Sequence, residues 1–457
     1  MASPSIVLIV HAVDTEGPLH ESLEAKFGRL HDLFGLSLAP TQANLERLKR
    51  GEMPLNGLEE DVKRILGGHL ASYNDTWDKM EAMLERAMAR EFRMAMPDSF
   101  GGGWVYNWHC LDHVGFEYNP RRRDMGYHNI FDHYRQLLEA KGETRDRLHW
   151  HFHPMSMYRD AHRCATSFVN SPELYQILCR RVIERKWFPT VFRAGFQTER
   201  PDSHWFLEQW IPFDISNMAL DDNSELDKTV DFRNGRSGDW RLAPSDWSVY
   251  QPSHDNYQIP GACRRRIGRA LNVLNRLASI DQREMDKAFA RAAAGSPTLV
   301  GSASHDFRDL TTEVDHLRAL VEQSSRRHPK VKFKYCDAVE AFRMAAWPEG
   351  VREAALELDL TFHPASANDV PTLEVSTRAG KVFGPQPFLA IQTRSRRFIH
   401  DNFDFAKSGD RWHYAFHADT FPIEDVAAIG VAANDQYGNS CVQRLGFAAP
   451  AQRPTAY

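Results

Sequence analysis

The sequence predicts an α/β protein with a second, all-β part at its C-terminal end. Short β-branched apolar runs alternate with amphipathic helices up to about residue 345. That alternation implies parallel strands joined by crossovers, as a barrel or a doubly wound sheet. After Trp347-Pro348 the rhythm changes to a period of two without helices, which predicts a β-sandwich over 352–457. A length of 457 residues exceeds what one core accommodates, so two domains are expected, 1–348 and 352–457.

The elements follow in order. Ile6 to Val10 reads as a buried first strand. It is too short for a secretory leader, lacks a basic segment before it, and runs straight into His11 and Asp14. Leu19 to Gly68 reads as polar helix, part of an insertion over the barrel mouth spanning about 19–95. Asn74-Asp75 is placed to cap a helix whose inner face is Trp77, Met80, Leu84 and Met88. Strands are predicted at Gly103–Cys110, Arg147–His153, Thr190–Arg193, Thr298–Ser302 and Val331–Tyr335. Ser171-Pro172-Glu173 is a helix start, with a capping hydroxyl, a proline in the first turn and an acid behind it. Thr311 or Thr312 opens the helix carried by Val314, Leu317 and Val321. In the C-terminal part, Leu356, Leu358, Leu360 and Phe362 alternate with polar residues, and Asn434 to Asn439 reads as a hairpin turn.

Composition excludes several classes. With 56 basic and 61 acidic side chains the net charge is −5, which argues against a nucleic-acid binder. No apolar run approaches the ~20 residues a membrane span needs. The six cysteines are scattered without a CxxC pair, so neither a disulfide framework nor a thiolate metal site is expected, and a reducing cytoplasm is the expected compartment. Arg121-Arg122-Arg123 and Arg264-Arg265-Arg266 offer a clamp for a phosphate, although a solvated loop and an exposed helix face are the plainer reading. The aromatic stretch from Asp239 to Tyr257 suits either sugar stacking or a packed loop.

Four groups of residues carry chemistry. Asp14 and Glu16 sit just after the first strand, on the face where barrel enzymes collect catalytic groups. His149, His151 and His153 recur every second residue in a predicted strand, so all three point one way, with Trp150 and Phe152 on the other face. Three imidazoles on one face pack poorly unless they hold something, and imidazole suits a zinc-like ion. Two histidines with one carboxylate would leave coordination positions open for catalysis. Arg193, in Phe192-Arg193-Ala194-Gly195, is suited to hold a carboxylate ionised. His305, in Ser304-His305-Asp306, is suited to donate a proton.

The ordered succession VDTEG, HWHFHP, FRAG with a downstream FDIS, and SHD resembles the NodB-homology polysaccharide deacetylases, carbohydrate esterase family four, over residues 5 to about 345. It is most similar to the divergent WbmS-like branch associated with surface-polysaccharide (O-antigen) synthesis. The resemblance implies a distorted (β/α)7 barrel, a divalent metal held by one acid and two histidines, and hydrolysis of acyl groups on sugars. Residue by residue, it implies Asp14 as general base, Glu16 as metal ligand, Arg193 steadying Asp14, and His305 as the acid that protonates the leaving group. The family has adjacent aspartates where Asp14 and Glu16 are separated by one residue, so the reverse assignment stays open. HxxxHP is matched by His149 and His153, whereas aligning the apolar residues selects His151 and His153, the pair nearest the strand end. Asp306 and Asp309 are the two candidates for the family's remaining aspartate. The implied cofactor is a divalent ion, zinc before other transition metals. The implied partner is an acylated amino sugar, nucleotide- or lipid-linked if the protein is cytoplasmic, and an oligomer is compatible with all of this. A deformylase or glycosidase on the same barrel, or a non-catalytic carbohydrate-binding protein, would use similar residues.

Overall fold

The computed structural model describes residues 5–119, 128–164, 167–171, 173–224, 237–419 and 421–448. Arg121, Arg122 and Arg123, and Pro172 of the predicted helix start, lie outside them. Two compact units divide the chain. The first comprises Met1–Phe168, Val191–Pro201 and Phe213–Gly350, and the second Val169–Thr190, Asp202–Pro212 and Val351–Tyr457.

Among the described residues, eight parallel strands build the first unit: β1 (Ile6–Thr15), β2 (Tyr106–His113), β3 (Arg147–His153), β4 (Val191–Ala194), β5 (Phe213–Asn217), β6 (Arg266–Asn272), β7 (Thr298–His305) and β8 (Lys332–Tyr335). Strands β1 to β7 close into a barrel, because β1 pairs with β7 along Val7 to Asp14 and with β2 along His11 to Thr15. The N-terminal half of β1 takes β8 as its other neighbour, along Ile6 to Ile9. Such a strand is covered on both faces, and all ten β1 residues are buried. Ile6, Leu8 and Val10 meet Val191, Phe213, Ile215, Leu299 and Phe342 in one apolar cluster that fills the N-terminal end of the barrel.

Two barrel strands escape the sequence reading. β5 is only five residues long, and β6 begins inside the arginine run that reads as an exposed face. The expected exposure holds for Arg264 but not for its neighbours: Arg265 is fully buried in ion pairs, and the Arg266 guanidinium lies over the Trp347 ring at 4.3 Å. Two caps also differ. Thr76 caps the helix Trp77–Met88, while Asn74 donates to the carbonyls of Asp306 and Arg308. Asp309, not Thr311 or Thr312, caps the helix Leu310–Arg327.

The predicted insertion forms the helices Leu23–Phe34, Gln42–Arg50 and Glu59–Leu66, which bury their own core of Phe27, Leu30, Leu45, Leu48, Val62 and Ile65. Among the described residues of the second unit, two four-stranded antiparallel sheets share one apolar core. Leu358, Leu373, Val375 and Trp412 come from one sheet, and Leu389, Ile391, Ile429 and Val431 from the other. The predicted hairpin joins the strands Val426–Asn434 and Ser440–Gly446. The helix Glu173–Arg185 belongs to this unit: a Cβ on Gly430 would stand 2.6 Å from Val182, so only glycine lets the helix come this close. Among the described residues, no helix is long and apolar enough to cross a membrane.

Candidate metal centre

Parallel pairing carries the chemistry-bearing side chains to one end of the barrel, because each sits at or near the C-terminal end of its strand. Register sets neighbours level: Asp14 with His305 on β7, and His151 with Arg193 on β4. The predicted alternation along β3 holds, with Trp150 and Phe152 packed outward against Phe168 and Phe192.

Glu16, His151 and His153 offer ligand atoms that all lie within 4.8 Å of one another, and all three residues are buried. The donor set suits a divalent transition metal. Nδ1 of His151 lies 2.9 Å from the Arg193 carbonyl, which can only accept, so Nδ1 carries the proton and the Nε2 lone pair points into the site. Nε2 of His153 approaches that nitrogen to 2.9 Å and Glu16 Oε1 to 4.0 Å. His149 stands apart. It pairs with Asn107 at 3.0 Å and packs against His109, and burial lowers both imidazoles, His149 to about 3. Both are therefore neutral residues of the barrel interior.

Asp14 lies beside this group. Arg193 Nη1 donates to its Oδ2 at 2.9 Å, with both side chains at most 2% exposed. Such a neighbour favours the carboxylate form. His305 faces the same two acids, its Nε2 3.8 Å from Asp14 and 3.7 Å from Glu16, and it is the most open of these residues at 19% exposure.

Asp306 has a different part from the one weighed in the sequence. Its carboxyl accepts from the Glu16 and Gly17 amides at 2.9 and 3.1 Å and from the Tyr134 hydroxyl at 2.9 Å. It brackets the loop that presents Glu16. Burial raises it to about 8 despite those bonds. Asp309 is occupied as a helix cap.

Tyr134 and Gln197 are missing from the sequence reading. With its carbonyl oxygen turned toward Arg193, Gln197 accepts from both terminal guanidinium nitrogens at 3.3 and 2.6 Å. Neither residue belongs to a recurring pattern, so no local signal marks it.

A cavity of about 490 Å³ opens above these residues. Asp14, Glu16, His151, His153 and His305 line its floor, and Ser22, Ala25, Gly28 and Leu33 of the inserted segment line its cover. The aromatic residues between Asp239 and Tyr257 are not part of the lining. They form a packed loop instead: the Trp240 indole donates to the Gln197 carbonyl and the Trp247 indole to the Glu284 carbonyl.

Fold and site together define a (β/α)-barrel protein with a buried carboxylate–imidazole group able to hold a metal ion. No protein-family model, curated protein or solved structure matches the chain.

Proposed function

We propose that this protein is a metal-dependent hydrolase of the polysaccharide-deacetylase type that removes an N-acyl group, acetyl foremost, from an amino sugar. The observation that carries the reading is one arrangement. Glu16, His151 and His153 converge beside an Asp14 that is paired with Arg193, and His305 faces both acids across the cavity floor. A zinc-type ion held by Glu16, His151 and His153 would supply Lewis acidity to a water molecule and to the acyl carbonyl.

The chain's own residues supply the proton transfers. Asp14, anionic beside Arg193, takes a proton from the attacking water as general base. His305, on the side open to the cavity, gives a proton to the departing sugar nitrogen. Arg193 keeps Asp14 oriented and charged, and its carbonyl fixes the His151 tautomer, so one strand end serves both halves of the site. The inserted helices cover the cavity and limit water around the reacting groups. An amino sugar in surface-polysaccharide synthesis is the substrate suggested by the motif order.

The test is product identity. Purified protein is incubated with N-acetylated and N-formylated amino sugars and with glycosidically linked oligomers, with and without added Zn²⁺. Released acetate that disappears in Asp14→Asn and His305→Ala variants is the expected result, each loss being on the order of 10²–10⁴ in rate. Formate or cleaved glycosidic bonds would assign a different hydrolase. Sugar binding without turnover, unchanged in Asp14→Asn, would make this a binding protein.

A further inference from the structure

The segment that follows β4 is more constrained than a connecting turn requires. Phe196 and Gln197 both have φ of 53°, a left-handed conformation that costs a side-chain-bearing residue energy and here occurs twice in a row. The placement serves the metal centre. A Cβ on Gly195 would stand 2.4 Å from the His153 ring, so the backbone presses directly on that imidazole. Phe196 meets the same ring edge-on at 4.8 Å, and Gln197 faces Arg193. This one segment therefore sets the orientation of a ligand histidine and of the guanidinium on Asp14.

Two residues further on, the segment is fastened by a buried ion cluster. Arg265 donates to both oxygens of Glu199, at 3.1 and 2.7 Å, and to Asp214 of β5 at 2.5 Å. Arg265 and Glu199 are fully buried, and Asp214 is 1% exposed. Two carboxyls there face one guanidinium, all three side chains buried. Such a cluster is expensive to bury, and it is a weak source of stability compared with apolar packing. Its position next to the strained turn supplies a reason for it.

We infer that Arg265, through its two-pronged grip on Glu199 and its bond to Asp214, is a positioning residue that holds the Gly195–Glu199 segment against His153 and Arg193 and thereby sets the affinity and geometry of the metal centre. The inference rests on the metal-centre reading above.

The test uses the full chain and Co²⁺ as the probe, read by titration and by the visible absorption of the bound ion, with thermal unfolding measured in parallel. The variants are Arg265→Lys, which keeps the charge but not the fork, Glu199→Gln, and His153→Ala as the control lacking a ligand. The expected result is a folded Arg265→Lys protein that binds Co²⁺ about tenfold more weakly with a shifted absorption band, and Glu199→Gln changed in the same direction. A folded Arg265→Lys with wild-type affinity and spectrum overturns the inference. If Arg265→Lys does not fold, a folded Glu199→Gln with wild-type binding overturns it equally, and failure of both to fold assigns the cluster to stability alone. Wild-type protein that binds Co²⁺ no better than His153→Ala removes the metal centre and this inference together, and so separates the two failures.

Discussion

Replacing Arg193 with methionine tests the electrostatics on which the site depends. Arg193 and Asp14 pair at 2.9 Å with side chains 1% and 2% exposed, so the variant leaves a buried carboxylate without its guanidinium. The carboxylate escapes by taking a proton, which caps the cost. Protonating a group of ordinary pKa ~3.9 at pH 7 costs about 1.4 kcal/mol for each of roughly three pH units, near 4 kcal/mol in all. That falls within the ~3–5 kcal/mol typical of breaking a buried pair. At pH 5 the same arithmetic leaves only about 1.5 kcal/mol. Arg193→Met combined with Asp14→Asn has no charge to neutralise, so it recovers most of the loss and shows little of this pH dependence. Urea unfolding of wild type, single and double variants at pH 5 and 7, followed by tryptophan fluorescence, measures each difference. A single variant equally destabilised at both pH values, or a double variant no more stable than the single, would refute the reasoning.

Three further outcomes are expected. Elemental analysis should find a bound divalent ion in wild type and in His149→Ala, whose side chain faces Asn107, but not in Glu16→Ala, His151→Ala or His153→Ala; an ion retained by His151→Ala counts against the assigned ligands. Asp306→Ala leaves the Glu16 and Gly17 amides and the Tyr134 hydroxyl without their acceptor, at about 1–3 kcal/mol for each donor that stays buried, and a melting temperature equal to wild type would contradict that bracket. Burial holds His11 and His400 neutral, with pKa values lowered to about 3 and about 4. The unfolded chain therefore takes up protons below pH ~6.5 that the folded chain refuses, so their contribution is intact above that pH and fades as pH falls toward the lowered values. Denaturation midpoints of wild type against His400→Asn between pH 7 and 4.5 should converge as the pH drops, and a constant gap would rule this out.

Much of the site is legible in the chain because β geometry makes it so. Alternation alone puts His149, His151 and His153 on one face, and the parallel barrel then aligns the ends of β1, β3, β4 and β7. Sequence spacing leaves open which two of the three histidines could hold a metal together. The height of each residue in the barrel separates them, with His149 one layer below the level where Glu16 arrives. The arginine run at 264–266 shows the opposite case. Residue type predicts solvent, yet Arg265 is buried because Glu199 and Asp214, distant in the chain, are brought to it.

Patterns of local origin were therefore readable from the chain alone: the alternation of strand and helix, the one-sided histidines, the change to period two after Trp347, and the hairpin at Asn434–Asn439. These depend on backbone periodicity, which neighbouring residues express directly. Long-range closure settled the rest, including the strands β5 and β6, the bracketing of Glu16 by Asp306, and the grip of Arg265 on the turn behind His153. A five-residue strand or a buried ion pair is stabilised by partners tens to hundreds of residues away. No local stretch of sequence records which partner the fold will bring.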